Sequence, residues 1–213
     1  DDMQFVIERV LRAPEQWRDL PALAEQDAET ARHVLTEAGR FAADVLAPLN
    51  AVGDREGCAW SGGQVTTPTG FASAYRAYVE AGWASLGCAP EWGGQGLPHL
   101  LEAAIQEMLV SANHAWSMYP GLLHGAYACI VAHGDAALQA RYLPRLANGE
   151  WLCTMCLTEP QAGSDLGRIR TRATERDGAY AIDGGKIFIS GGEHDLTDNI
   201  VHLVLARHPG GPP

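Results

Sequence analysis

Met155-Cys156-Leu157-Thr158-Glu159-Pro160-Gln161-Ala162-Gly163-Ser164-Asp165 is the stretch at which this sequence changes character. The residues leading into it, Trp151–Thr158, form a short apolar run that predicts a strand. Thr158-Glu159-Pro160 closes the run in a turn. Gln161 to Asp165 then offers a glycine, a hydroxyl and several free backbone N–H groups. A loop of that composition cradles a phosphate or pyrophosphate through main-chain donors. The hydroxyls of Thr158 and Ser190 suit the polar edge of a ring, and Phe188 suits a flat ring face. These residues point to an aromatic cofactor bearing phosphate, without identifying it.

Downstream, Arg170–Arg176 and Ala179–Asp183 flank Asp177-Gly178. That dipeptide favours the type I′ turn of a β-hairpin, because both central residues must take positive φ. Lys186–Ser190 (KIFIS) and Asn199–Arg207 (NIVHLVLAR) read as further strands. An antiparallel β domain is expected over residues 151–213.

Upstream, residues 1–150 predict a helical bundle. From Asp27, a candidate N-cap, apolar residues recur at Ala31, Val34, Leu35, Ala38, Phe41, Ala42, Val45 and Leu46. That spacing is helical, and Pro48 is expected to end it. Residues 51–70 read as a loop. A second helix is expected over Phe71–Glu80, a third from Leu100 to Leu109, a fourth from Leu122 to Val131, and a fifth capped by Asp135 and ending near Gly149. Between the second and third lies Glu91-Trp92-Gly93-Gly94-Gln95-Gly96-Leu97-Pro98. Its glycines allow backbone conformations closed to other residues. The wide apolar faces of these helices require them to pack on one another.

The composition excludes several classes. The chain has 213 residues, 46% of them hydrophobic and 19% charged, so it can build a substantial core. A formal net charge of -11 disfavours nucleic acid and anionic membrane as partners. No apolar run approaches the roughly 20 residues of a membrane span. The cysteines number five and are scattered, which argues against a disulfide framework and for a reducing cytoplasm. The opening Asp1-Asp2-Met3 and the end at Gly210-Gly211-Pro212-Pro213, just after a strand-like run, read as those of a fragment.

Four ordered segments resemble the acyl-CoA dehydrogenase family: Pro90–Gly96 (PEWGGQG), Arg141–Trp151 (RYLPRLANGEW), Cys156–Asp165 (CLTEPQAGSD) and Lys186–Ser190. The resemblance covers nearly the whole chain and implies an α+β fold: an N-terminal helical domain (1–150), then the first part of an antiparallel β-barrel domain (151–213). The family's C-terminal helical domain is expected to be missing from this chain. The run from Lys186 to Arg207 is most similar to the larger members, the group that includes 3-methylthiopropanoyl-CoA dehydrogenase. One departure is Phe188, where the family often has Trp; flavin contact there is expected to be weaker.

The resemblance implies an FAD cofactor and α,β-dehydrogenation of an acyl-CoA thioester, with a flavin oxidase or monooxygenase on the same scaffold, or an inactive fragment or interaction module, as alternatives. It places Met155, Cys156, Leu157 and Thr158 along the flavin, with Thr158 bonding the ring system. It places Gly163 and Ser164 near the pyrophosphate, with Ser164 also meeting the acyl-CoA. It packs Phe188, Ile189 and Ser190 against the ring, with Ser190 near the reactive nitrogen. The family's catalytic Glu sits in the later helical domain, so no catalytic residue is named; Glu159 and Glu193 do not match its place. A homodimer or homotetramer and electron-transferring flavoprotein as acceptor are implied for the full-length protein. The flavin site also draws on later segments and a neighbouring subunit, so this chain alone is expected to bind FAD poorly.

Other chemistry-bearing residues carry blander expectations. Cys153 and Cys156 face opposite sides of a strand, and no second pair completes a zinc site. His194-Asp195 suits a general base with its orienter, but a solvated loop is expected. His99, His114, His124 and His133 lack metal spacing and are expected to be packing or surface residues. Glu91–Gly94 stays open between an acyl-pocket wall and a structural turn.

Overall fold

The computed structural model describes residues 2–210. Gly211, Pro212 and Pro213, which the fragment reading invokes, lie outside the described residues, as does Asp1. The chain begins with two short helices, α1 (Asp2–Phe5) and α2 (Ala13–Trp17). Then α3 (Ala28–Phe41) starts at Asp27, whose carboxylate accepts the Thr30 N–H at 2.7 Å. That bond satisfies one of the donors a helix start leaves free.

Pro48 does not end this helix. A wide turn over Ala42–Leu46 shifts the hydrogen-bond register, and α4 (Ala47–Glu56) follows directly. Pro48 thereby falls in the first turn of a new helix, where its missing N–H is not needed. Residues 51–56 are therefore helical rather than loop. A small hairpin, β1 (Ala59–Ser61) with β2 (Gln64–Thr66), occupies much of the rest, turning on Gly62-Gly63.

The remaining helices are α5 (Phe71–Glu80), α6 (His99–Ala112), α7 (His114–Gly121), α8 (Leu123–His133) and α9 (Ala136–Ala147). The sequence pattern misses α7. Asn113 starts it by accepting the Trp116 N–H at 3.0 Å, while its amide reaches the Leu46 carbonyl at 3.4 Å. Asp135 caps α9 as expected, through the Leu138 N–H at 2.8 Å. Past α9, Gly149 has φ 73 and its carbonyl accepts the Tyr75 hydroxyl at 2.7 Å.

The core gathers Leu46, Phe71, Leu101, Leu109, Trp116, Leu123, Leu143 and Leu146, all fully buried. Each such side chain contributes roughly 1.5–3 kcal/mol of transfer free energy. Tyr78 meets Trp116 edge to face at 5.5 Å, and the Trp116 indole N–H donates to the Phe71 carbonyl. The core extends into the first strand, β3 (Leu152–Cys156), whose Leu152 and Cys153 join the same cluster.

The β region departs from expectation in three ways. First, β3 pairs with β6 (Ile200–Val204) in parallel, from Leu152↔Ile200 to Cys156↔Val204. The connection over residues 157–199 is long enough for the crossover a parallel pair needs. The antiparallel pairing holds for β4 (Arg172–Arg176) with β5 (Ala179–Asp183), which turn on Asp177 (φ 54) and Gly178 (φ 77). Second, β4 starts at Arg172 rather than Arg170, because the Glu159 carboxylate takes the N–H groups of Arg170 and Thr171. Third, Lys186–Ser190 is not a strand. Ile187 makes one ladder-like bond, and Phe188 then turns left-handed at φ 57, which stops extended pairing.

Candidate functional site

The site is built where β3 runs out. Along β3 the side chains alternate. Thr154 and Cys156 are buried, with the Thr154 hydroxyl 2.7 Å from His202 Nδ1 and 3.3 Å from Cys156 Sγ. Met155 points the other way and is exposed; Leu157 and Thr158 are half-buried. Cys156 therefore offers the outward face its main chain and not its thiol. Burial pushes the thiol of Cys153 up to about 12, so the Cys153/Cys156 pair has no reactive thiolate at its first member.

After Thr158 the chain folds back. Glu159 and Ala162 exchange two backbone hydrogen bonds, at 2.9 and 3.0 Å, across Pro160-Gln161. Gly163, Ser164 and Asp165 then lie exposed. Among the described residues, the N–H groups of Gly163 and Ser164 have no acceptor within the chain, and a Cβ on Gly163 would meet nothing within 4 Å. The main chain there is open to an incoming anion.

Glu159 lies beneath this loop, 3% exposed. Its Oε1 accepts from Lys186 Nζ (2.8 Å) and the Thr171 N–H (3.0 Å), and its Oε2 from the Arg170 N–H (2.7 Å) and Gln161 Nε2 (2.6 Å). Burial alone would raise its pKa. The hydrogen bonds from Lys186, Thr171 and Arg170 outweigh that and hold the carboxyl far below the usual range.

The second segment arrives alongside. The Ile187 N–H donates to the Thr158 carbonyl at 2.9 Å, and Lys186 Nζ donates to the Leu157 carbonyl at 2.9 Å. Residues 155–159 and 186–190 are thus brought together. Phe188 is 88% exposed, Ile189 is half-buried and Ser190 is exposed. An outward apolar surface, hydroxyls and open main-chain donors share one region of the molecule.

His194-Asp195 lies in a loop, as expected, with Asp195 exposed, but His194 is not solvated. His194 is buried, edge-on to Tyr119 at 5.4 Å, and burial lowers its pKa against the opposing pull of Glu193 and Asp195. Asp195 accepts from the Thr67 N–H and hydroxyl. The pair anchors the chain after Ser190 to the helical unit. Glu91–Gly94 forms a tight turn: Gly93 has φ 87, the Gly94 N–H bonds the Ala89 carbonyl, and the Gly96 N–H bonds the Cys88 carbonyl. His99 and His124 both lie 2.6 Å from the half-buried Glu102 carboxylate, His99 at the surface and His124 partly packed, as expected of packing or surface residues. Among the described residues, no group of three or more His, Cys, Asp or Glu side chains is placed to hold a metal ion. No described helix is long and apolar enough to cross a membrane.

Residues 28–150 match the family profile described as acyl-CoA dehydrogenase, N-terminal domain, and residues 154–212 match acyl-CoA dehydrogenase, middle domain. The chain belongs to the acyl-CoA dehydrogenase family. It is 46% identical over 212 residues to 3-methylmercaptopropionyl-CoA dehydrogenase of Ruegeria pomeroyi, covering 99% of this chain and 36% of that one. It is 37% identical over 217 residues to a butyryl-CoA dehydrogenase of Syntrophomonas wolfei, covering 94% and 35%. Among solved structures it resembles an acyl-CoA dehydrogenase complexed with FAD from Bacillus anthracis, with a TM-score of 0.68, 24% identity, and 87% and 30% of the two chains covered. That likeness establishes the fold. The chain spans about a third of the length of the curated relatives it matches.

Sequence reasoning alone does not find the Glu159–Lys186 pair. The available signal is two opposite charges, each within or beside a motif segment of this acyl-CoA dehydrogenase family member, that have no other function assigned.

Proposed function

We propose that this chain supplies the flavin-facing surface of an FAD-dependent acyl-CoA dehydrogenase that converts an acyl-CoA thioester to the enoyl-CoA. One observation carries the reading: the Thr158–Ile187 bond joins Met155–Asp165 to Lys186–Ser190, so both motif segments form one surface. The residues present fit FAD. The open N–H groups of Gly163 and Ser164 suit the pyrophosphate. The exposed Met155 and Phe188, with Leu157 and Ile189, suit a flat apolar ring, and the hydroxyls of Thr158 and Ser190 suit its polar edge. The main chain of Cys156 completes the strand beneath it. Ser164 also meets the acyl-CoA.

The chemistry that bound FAD would supply here is hydride acceptance from the substrate β-carbon. This chain's part is to align the reacting atoms and exclude water. No residue of it is assigned as the α-proton base. Glu159 has every acceptor position engaged, and Glu193 lies on the exposed loop beyond Ser190. The chain divides into a helical domain, residues 1–150, and a partial β domain, residues 151–213. The proposal takes 3-methylthiopropanoyl-CoA or a fatty acyl-CoA as substrate, electron-transferring flavoprotein as acceptor, a homodimer or homotetramer as the assembly, and the cytoplasm as the compartment. The similarity to the Ruegeria pomeroyi enzyme supports the first of these substrates.

The test uses protein expressed from its complete reading frame. Under anaerobic conditions, 3-methylthiopropanoyl-CoA or butyryl-CoA should bleach the flavin absorbance and yield the enoyl-CoA. No bleaching across a series of acyl-CoA lengths overturns the dehydrogenase reading. Immediate reoxidation in air with stoichiometric peroxide assigns an oxidase instead.

A further inference from the structure

We propose that Glu159 and Lys186 form a positioning pair that sets how the two halves of the flavin-facing surface lie against each other. The inference rests on the reading that residues 155–165 and 186–190 meet FAD.

Three consecutive attachments join the halves. Lys186 Nζ reaches the Leu157 carbonyl, the Ile187 N–H reaches the Thr158 carbonyl, and Lys186 Nζ reaches the Glu159 carboxylate. The pair's side chains are 9% and 3% exposed, so water does not loosen it. The same carboxylate also holds the Arg170 and Thr171 N–H groups and so fixes the return of the loop after Ser164. One side chain therefore orients the chain on both sides of Gly163-Ser164.

Past Ile187 the second segment has no ladder to hold it. Phe188 sits at φ 57, a conformation unfavourable for a non-glycine residue that persists where the surroundings impose it. Those surroundings are two anchors. One is the Lys186–Glu159 pair. The other is the segment from Gly191 to Asp195, where a Cβ on Gly191 would lie 3.3 Å from Tyr119 and Asp195 is tied to Thr67. Phe188, Ile189 and Ser190 are suspended between them. Loss of the first anchor frees the three residues that face the ring while leaving the helical core untouched.

Removing one partner strands a buried charge, whereas replacing both with neutral side chains of similar size does not. The deciding comparison is therefore wild type against Glu159→Gln/Lys186→Met, with each single variant beside it, in protein expressed from its complete reading frame. The readouts are thermal unfolding of the apoprotein, the Kd for FAD from flavin fluorescence, the visible flavin absorption bands and the pH profile of kcat/KM.

The double variant should still fold, at a lowered temperature because an amide NH2 replaces one of the two oxygens that face the Arg170, Thr171 and Gln161 donors, and it should bind FAD about tenfold or more weakly, show displaced flavin bands and keep the wild-type pH profile. Wild-type affinity and bands in the double variant overturn the proposal, because the pair then serves stability alone. A double variant that does not fold overturns it too, by making the pair a requirement of the fold. Loss of one limb of the pH profile overturns the positioning role in favour of a proton-transfer one. A wild-type protein that takes up no FAD removes the reading on which the pair depends, and the pair's role with it.

Discussion

Asp195 accepts two hydrogen bonds from Thr67, one from the backbone N–H at 3.1 Å and one from the hydroxyl at 2.7 Å. The two residues are 128 positions apart in sequence. Thr67 follows the β1–β2 hairpin of the helical unit, and Asp195 follows the exposed Ser190. This contact, with the Tyr119–His194 packing, ties the site's second segment to the helices.

Removing that tie should loosen the segment before it affects the fold. Thr67→Val deletes one bond and should cost about 1 kcal/mol, and Asp195→Ala deletes both and should cost about 2 kcal/mol. Urea unfolding gives the two values. A double-mutant cycle should show coupling between them, and a non-specific protease should cut within 190–199 faster in either variant. Additive effects with unchanged cleavage would refute the tie.

Two adjacent glycines should respond differently to alanine. A Cβ on Gly94 would lie 1.9 Å from the Cys88 carbonyl oxygen, a backbone atom that cannot swing aside. Gly94→Ala should cost about 3 kcal/mol or more, as overpacking against fixed backbone does. Gly93 has φ 87 with nothing near its Cβ, so Gly93→Ala should cost about 1 kcal/mol through its left-handed conformation alone. Equal costs in thermal unfolding would contradict this account of the turn.

Glu102 should leave a mark on the acid side of the stability curve. Burial raises its pKa, but hydrogen bonds and charge from His124 and His99 outweigh that and leave it lowered, with Tyr78 and Cys88 also facing it. A depressed folded carboxyl stabilises the native state above its unfolded value, near pH 4.3, and that contribution is lost as pH falls through the folded value. Glu102→Gln should therefore lose less stability than wild type between about pH 5 and pH 3. Parallel curves in denaturant titrations across that window would exclude the effect.

Gly178 sits at φ 77 in the β4–β5 turn, after Asp177 at φ 54. Gly178→Val should destabilise the hairpin by about 1–2 kcal/mol, since a β-branched residue resists that region. Asp177→Asn, which tolerates it as well, should be nearly neutral. Hydrogen exchange of the β4 and β5 amides measures both outcomes locally.

The readable parts of this fold are those that depend on neighbours in sequence. Asp27 and Asp135 announce their helices because an N-cap bonds an N–H three residues on. Asp177-Gly178 announces its hairpin because the turn needs two left-handed residues in succession. The misread parts depend on backbone geometry or distant partners that residue type does not announce. Pro48 lies inside a continuous helical stretch because a wide turn absorbs it. Lys186–Ser190 has strand composition, yet its ladder stops at Phe188. Leu152–Cys156 pairs in parallel with a strand that begins at residue 200.

The sequence by itself determined the order of helices before strands, the burial of the apolar stripes and the family to which the motifs belong, because each is written in local spacing and residue type. The tertiary structure decided which atoms of those motifs face outward and what holds them there. It turned the Cys156 thiol inward, bound His194 and Asp195 to the helical unit and closed the Glu159 carboxylate with four donors. The physical reason is that a buried carboxylate is tolerated only where donors converge on it. Those at Thr171 and Lys186 lie 12 and 27 residues away along the chain.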